Sequence, residues 1–350
     1  MSQRKRFTEI DALRGLAALA VVLFHYTTRY EERFGGESGG YSEIFSFGEF
    51  GVQLFFIISG FVIYMSILKV KSVSDFAIKR SFRLYPAYIF AVVLTFTVVT
   101  LASIEQLKID LLPALVNLTM FQDFFGAPRV DGVYWTLRVE MTFYILMAIL
   151  LFFKVEKKVM PIVLTWISAS VIIQLIHRSM DTDLTALIRE FSIASFSHMF
   201  IIGIMFYCIW QHGDQLKYYA VIALCVIYDL AFMSIENALF TAAFVAAFYL
   251  IINNKMQFLS SPVLVFFGTI SYPLYLIHQN IGYVILNKMH EMGYTHPIFT
   301  AMLVGATILA AYIIFRYVEQ PVQNALYKLY KGQQKPRPKK VGFKQPVKKI

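Results

Sequence analysis

Ten apolar runs, each close to 20 residues long, divide this chain and leave its charge to short connections. They lie at roughly residues 7–29, 48–67, 84–103, 134–153, 159–177, 194–211, 218–234, 237–253, 262–285 and 298–318. A run of about 20 apolar residues matches the thickness of a bilayer core when helical, and a helix satisfies its backbone internally where no water is available. The expected fold class is therefore all-α: a polytopic membrane protein of about ten transmembrane helices. Charged residues make up only 15% of the chain, against about 25% in a soluble domain. The two cysteines, Cys208 and Cys225, fall inside apolar runs and predict neither a disulfide framework nor a metal site.

The connections predict an orientation. Residues 30–47 carry Glu31, Glu32, Glu37 and Glu43 against Arg33, and residues 104–133 carry Glu105, Asp110, Asp123 and Asp131 against Lys108 and Arg129. Residues 68–83 carry Lys69, Lys71, Lys79, Arg80 and Arg83 against Asp75, and residues 154–158 carry three lysines against Glu156. Basic connections stay cytoplasmic, so both termini are expected there. The start, Arg4, Lys5 and Arg6 followed by a long apolar run, reads as an uncleaved signal anchor. Residues 1–330 are expected to form a single transmembrane domain. Residues 331–350 hold eight Lys or Arg and no acid, and read as a disordered cytoplasmic tail that meets lipid headgroups. Charge on such a tail gives no support to nucleic-acid binding. The Gly-rich piece FGGESGG in the first outer connection reads as a lid or a slack loop.

Several ionisable groups lie inside the runs, where they are costly and usually face a bundle interior or a wet cavity. Arg14 and His25 are eleven residues apart. On a helix that is about three turns and about 16 Å, so they share a face. Glu140, in YWTLRVEMTFY, and His278, in SYPLYLIHQN, fall with His25 in the outer half, and Gln53 and Trp135 lie at similar depth. Glu140 can also simply pair with Arg138. Arg80 and Arg83 are three apart and share a face if the third helix begins before Pro86. With Arg14 they form a basic inner set suited to phosphate. Arg14 can also pair with Asp11 one turn away. Ser271, Tyr275 and His278 form one polar stripe. Gly60, beside Ser59, reads as a close-packing position. His198 stands in the sixth run without a matching pattern. No P-loop, zinc-type spacing, nucleotide fingerprint or repeat is present in the sequence.

With these residues in view, the chain resembles acyltransferase family 3, the bacterial membrane O-acyltransferases of surface polysaccharides and related glycans. The resemblance covers most of residues 7–325. It rests on DALRGLAALAVVLFHY, GVQLFFIISGF, RSFRLYP, YWTLRVEMTFY, SYPLYLIH and YVEQP, in the family's order. It implies a cytoplasmic acyl-CoA donor, acetyl-CoA in the first instance, rather than a bound cofactor. It implies a hydroxyl acceptor on a lipid-linked or growing glycan at the outer face of the bacterial cytoplasmic membrane. By the same resemblance His25 is catalytic with Arg14 as its motif partner, and Arg80 and Arg83 hold the CoA phosphates. Glu140 and His278 match polar residues of later motifs.

With no hydrolase-like domain following the bundle, transfer is expected to be completed within it or with a separate partner. His25 would act either as general base or as a transient acyl carrier, with Glu140 orienting its ring. Gln53, Trp135, Ser271, Tyr275 and His278 are expected to line the substrate path. Oligomeric state stays open. The rival reading is a proton-coupled transporter or flippase, since buried His, Glu and Arg on ten spans also suit a carrier.

Overall fold

The structure, a computed structural model, describes residues 7–35 and 42–333. The basic start, most of the Gly-rich piece and residues 334–350 of the basic tail lie outside the described residues. Regular structure among the described residues is entirely helical, with no strand. The principal helices are α1 (Thr8–Phe24), α2 (Gly51–Ile67), α3 (Val73–Ala102), α4 (Trp135–Phe152), α5 (Val159–Met180) and α6 (Ser197–His212). They continue with α7 (Leu216–Phe232), α8 (Ile235–Ile252), α9 (Pro262–Ile277), α10 (Gln279–Glu291), α11 (Pro297–Ile314) and α12 (Gln320–Gln333).

Among the described residues, seven helical stretches are long and apolar enough to cross a membrane: Thr8–Phe34, Glu43–Ile67, Val73–Ala102, Gly132–Phe152, Val159–Met180, Ile235–Ile252 and Pro297–Gly332. The other three expected runs fall on α6, α7 and α9, which have 16, 17 and 16 residues. The chain is thus a multi-pass helical membrane protein. Leu224, Ile227 and Leu230 of α7 are exposed at helical spacing, an apolar surface that a soluble protein would bury and a lipid-facing helix displays.

Glycines set the helix spacing at two places. A Cβ on Gly15 would collide with the backbone of Gly268, and one on Gly268 with Asp11, so α1 and α9 touch backbone to backbone. Gly60 of α2 and Gly203 of α6 interlock in the same way. Small residues permit this approach where dispersion, not water exclusion, holds helices together. Between α4 and α6 the rings of Phe143 and Phe200 stack at 4.2 Å, and both are fully buried.

Three departures from regular helix matter for function. First, α3 begins eleven residues before the expected 84, so Pro86 lies in its interior. Proline has no N–H for the ladder. Two carbonyls of the turn before it also accept side-chain donors: Gln323 Nε2 donates to Arg83 O at 3.0 Å, and Tyr272 OH to Leu84 O at 3.2 Å. Second, the ninth run is not one helix. It breaks at His278, between α9 and α10, five residues after Pro273. Third, the first and last runs each contain a π turn, at His25–Arg29 and at Phe315–Glu319.

Candidate active site

The Arg14–His25 face of the first helix runs from a basic cavity to a cavity at the imidazole. His25 sits on the first residue of the π turn, where one extra residue widens the helix, a local distortion common at functional sites. Its Nδ1 is 2.9 Å from Val21 O and 3.2 Å from His278 Nε2. His278 Nδ1 is in turn 2.8 Å from Tyr275 O. A carbonyl can only accept, so His278 holds its proton on Nδ1 and presents Nε2 as an acceptor. His25 then holds its proton on Nδ1, facing two acceptors. Its Nε2 is left with the free lone pair, the form a general base requires.

His278 is fully buried, and its segment is tied down from the third connection. Asp131 accepts hydrogen bonds from Asn280 N at 3.0 Å and Val133 N at 3.2 Å. Asn280 Nδ2 donates to Val130 O at 2.9 Å. Burial pushes the Asp131 carboxyl up to about 7, against the lowering pull of those two N–H groups. One carboxylate thus fixes the start of α4 and the start of α10 together.

The cavity at His25 has a volume of about 430 Å³; its polar wall includes Glu49, Gln53, Trp135, Asn237 and Tyr275. Gln53 Nε2 donates to Asn237 Oδ1 at 2.5 Å. Trp135 packs on Phe196, ring centres 5.4 Å apart. The second cavity, of about 330 Å³, is lined by Arg14, Arg80, Arg83, Glu140, Ser271 and Tyr272 among others. Val52 and Tyr275 line both cavities. The Tyr275 hydroxyl lies 3.0 Å from Thr136 Oγ1, which holds the ring in the partition.

In the basic cavity Arg80 Nη2 donates to Ser66 Oγ at 3.2 Å. Its Nε is buried and has no partner among the described residues. Arg83 pairs with the fully buried Glu319, which also accepts from Gln323 at 3.0 Å. Arg14 keeps Asp11 at 3.6 Å, one turn back. Ser271 donates to Gly268 O at 2.8 Å and lies on the cavity wall.

The structure groups the sequence-selected residues differently in two respects. Glu140 lines the basic cavity with the arginines and not the His25 cavity. Its Oε1 accepts from Tyr144 at 2.5 Å and Ser59 at 3.3 Å. Arg138, its alternative partner, instead meets Glu190 at 2.8 Å and Asp123 at 3.5 Å. His278, expected to meet substrate, touches His25 from behind.

Sequence reasoning passed over three residues. Glu319 neutralises Arg83, and its signal was a carboxylate in FRYVEQP beside the last apolar run. Asn237 lies at the start of a run, where an amide attracts no notice. Asp229, in an otherwise apolar run, accepts from His198 Nε2 at 2.9 Å and from Thr241 at 2.6 Å. Among the described residues no three His, Cys, Asp or Glu side chains converge as metal ligands.

A polytopic helical bundle with an imidazole pair at one cavity and guanidinium groups at the next defines a multi-pass membrane protein with polar cavities in its interior. A family model described as an acyltransferase domain matches residues 7–316, nearly the whole described chain. The chain belongs to that family, acyltransferase family 3.

Among curated proteins it is similar to "O-acetyltransferase OatA" of Staphylococcus aureus, at 25% identity over 92% of this chain and 58% of the relative. It is similar to "Putative peptidoglycan O-acetyltransferase YrhL" of Bacillus subtilis, at 21% identity over 90% of this chain and 54% of the relative. "Nodulation protein 10" of Rhizobium leguminosarum bv. viciae matches at 31% identity over 29% of this chain and 32% of the relative. The chain therefore spans between 32% and 58% of the length of these relatives. No solved structure matches.

Proposed function

We propose that this protein moves an acyl group, acetyl in the first instance, from cytoplasmic acyl-CoA to a hydroxyl of a cell-surface glycan. The acceptor would be an exopolysaccharide, an O-antigen or, as the names of two relatives suggest, peptidoglycan, met at the outer face of the bacterial cytoplasmic membrane. The reading includes ten spans with both termini cytoplasmic, residues 1–330 as one transmembrane domain and residues 331–350 as a cytoplasmic tail.

The observation that carries the proposal is the pair of cavities with a common wall. Arg80 and Arg83 suit the phosphates of CoA, because a planar guanidinium meets phosphate oxygens by paired hydrogen bonds. Arg14 adds a third cation on the α1 face that leads to His25. The slender pantetheine arm would lie along that face and pass Val52 and Tyr275, bringing the thioester to the imidazole. Glu319 holds the Arg83 guanidinium in place, and Glu319 with Glu140, whose charge acts on Arg14 through space, offsets the positive charge before the donor enters. Gln53, Trp135 and Tyr275 meet the acceptor, and Ser271 lines the donor path.

His25 Nε2 takes the proton of the acceptor hydroxyl as its oxygen attacks the thioester carbonyl. The C–S bond then breaks, and the CoA sulfur leaves with the proton held on Nε2. His278 keeps the His25 ring turned with Nε2 outward and stabilises the imidazolium by accepting from Nδ1–H, the part an orienting acid plays in a triad. A covalent route, with Nε2 attacking the thioester first, uses the same lone pair.

The test is turnover of labelled acetyl-CoA by purified full-length protein in detergent, with a crude glycan or lipid-linked acceptor pool, for wild type and His25→Ala. Turnover by wild type alone is the expected result. If neither protein turns over or binds acetyl-CoA, the enzyme reading fails, and transport in proteoliposomes becomes the reading to pursue.

A further inference from the structure

We propose that the His25 cavity selects glycan units that carry no negative charge beside the acylated hydroxyl, such as a neutral hexose or an N-acetylhexosamine. The inference rests on the acyl-transfer reading and adds the class of acceptor. It comes from the charge and hydrogen-bond balance of the cavity wall.

Three charged side chains line the cavity: Arg29, Glu32 and Glu49. Arg29 Nη1 already meets Glu32 Oε2 at 2.7 Å, so that pair contributes little net field. Glu49 has no ion-pair partner among the described residues. Glu236, in the first turn of α8, and Glu32 lie close enough to act on Glu49 electrostatically, with Arg29 acting in the opposite sense. The acceptor side of the active site is thus net negative, whereas the donor side holds three guanidinium groups.

The neutral polar groups lean the same way. The amide chain runs from Gln53 Nε2 to Asn237 Oδ1 and from Asn237 Nδ2 to Ser234 Oγ at 2.8 Å. It consumes donors and leaves Gln53 Oε1 buried with no donor facing it. A buried acceptor without a donor costs free energy until a ligand supplies one. Sugar hydroxyls and the N–H of an acetamido group are such donors. A carboxylate or phosphate offers acceptors only, and would bring like charge against Glu49 at the exposed rim of the cavity. The packed rings of Trp135 and Phe196 give an apolar face for the C–H side of a pyranose.

The experiment compares two defined acceptors with full-length wild type and labelled acetyl-CoA: an N-acetylglucosamine tetramer and a galacturonic acid tetramer. Wild type should show kcat/KM about fivefold higher for the uncharged tetramer, the scale of one like-charge contact at about 4 Å in watery surroundings. Glu49→Gln, which keeps shape and removes charge, should narrow that ratio by raising use of the galacturonate tetramer. Size-exclusion behaviour checks that the variant is folded. Equal or better use of galacturonate by wild type overturns the inference and leaves the acyltransferase reading standing. A ratio untouched in folded Glu49→Gln also overturns it. Donor turnover with transfer to neither tetramer removes the glycan-acceptor reading itself, and the inference with it.

Discussion

His25 and His198 both lie inside this bundle, and their surroundings differ in every respect that bears on chemistry. His25 sits on a π turn, faces a neutral imidazole, and opens on a cavity of about 430 Å³. His198 lies in the regular α6, is 1% exposed, stacks on Tyr228 at 4.6 Å, and binds a carboxylate that Thr241 also holds. Membrane depth and residue type alone therefore do not give two histidines the same surroundings. What distinguishes His25 is a lone pair left free by its partners and space in front of it. His198, Asp229 and Thr241 instead join α6, α7 and α8, with the polar atoms turned toward one another.

Four substitutions test that contrast. His25→Ala should lower acyl transfer by about 10²–10⁴-fold, the usual contribution of a positioned base, while membrane insertion and size-exclusion behaviour are unchanged. Residual activity near wild type would erase the distinction. Asp229→Ala should do the reverse. It strands a buried imidazole and a hydroxyl, and should cost about 3–5 kcal/mol of stability, read as a lower unfolding temperature in detergent. The protein that remains folded should turn over normally; loss as complete as in His25→Ala would make the second histidine functional too.

His278→Ala should reduce kcat by about 10–100-fold, the range for removing a residue that orients a reactive ligand, with little change in KM for the donor. A KM effect with unchanged kcat would move His278 from the ring of His25 to the substrate. The smallest effect concerns Asp131, which anchors the segment bearing His278. Its carboxyl is raised from an ordinary 3.8 to about 7, so the charged form is disfavoured in the fold. Between those values the folded state binds more protons than the unfolded, and stability falls as pH rises through that window. Asp131→Asn removes this dependence. The wild-type melting temperature should drop by a few degrees relative to the variant from pH 4 to 7, and parallel curves would refute the assignment.

The helices and most of the site were legible because each depends on the chain's local pattern. Apolar length marks the runs, and an eleven-residue spacing puts Arg14 and His25 on one face. The grouping of Glu140 was not legible. Depth can be counted from the end of a run, but rotation about the helix axis relative to neighbouring helices cannot. Trp135 lines the His25 cavity, while Glu140, five residues on, is about 140° further round and about 7.5 Å deeper, enough to place it in the other cavity. The break at His278 was hidden because residues 262–285 are long enough to read as one span, although Pro273 and the polar triplet His278, Gln279 and Asn280 were hints. Asp229 was visible as an intramembrane carboxylate, yet no sequence pattern links it to His198, 31 positions away. Such pairing across helices is decided only when the bundle closes.

The π turns set a limit on how this protein can vary in length. At His25–Arg29 and again at Phe315–Glu319 the chain carries one residue more than a regular helix would use. Deleting a single residue from either turn would restore an ordinary helix and improve its local hydrogen bonding. The flanking halves would keep their phase, because the turn absorbs its extra residue locally, but the side chains within the turn would be redirected, loosening His25 from His278 in the first case and Glu319 from Arg83 in the second. A shorter chain would then be the better helix and the poorer catalyst. Family members that differ in size should place their insertions and deletions in the connections and keep the count through both turns.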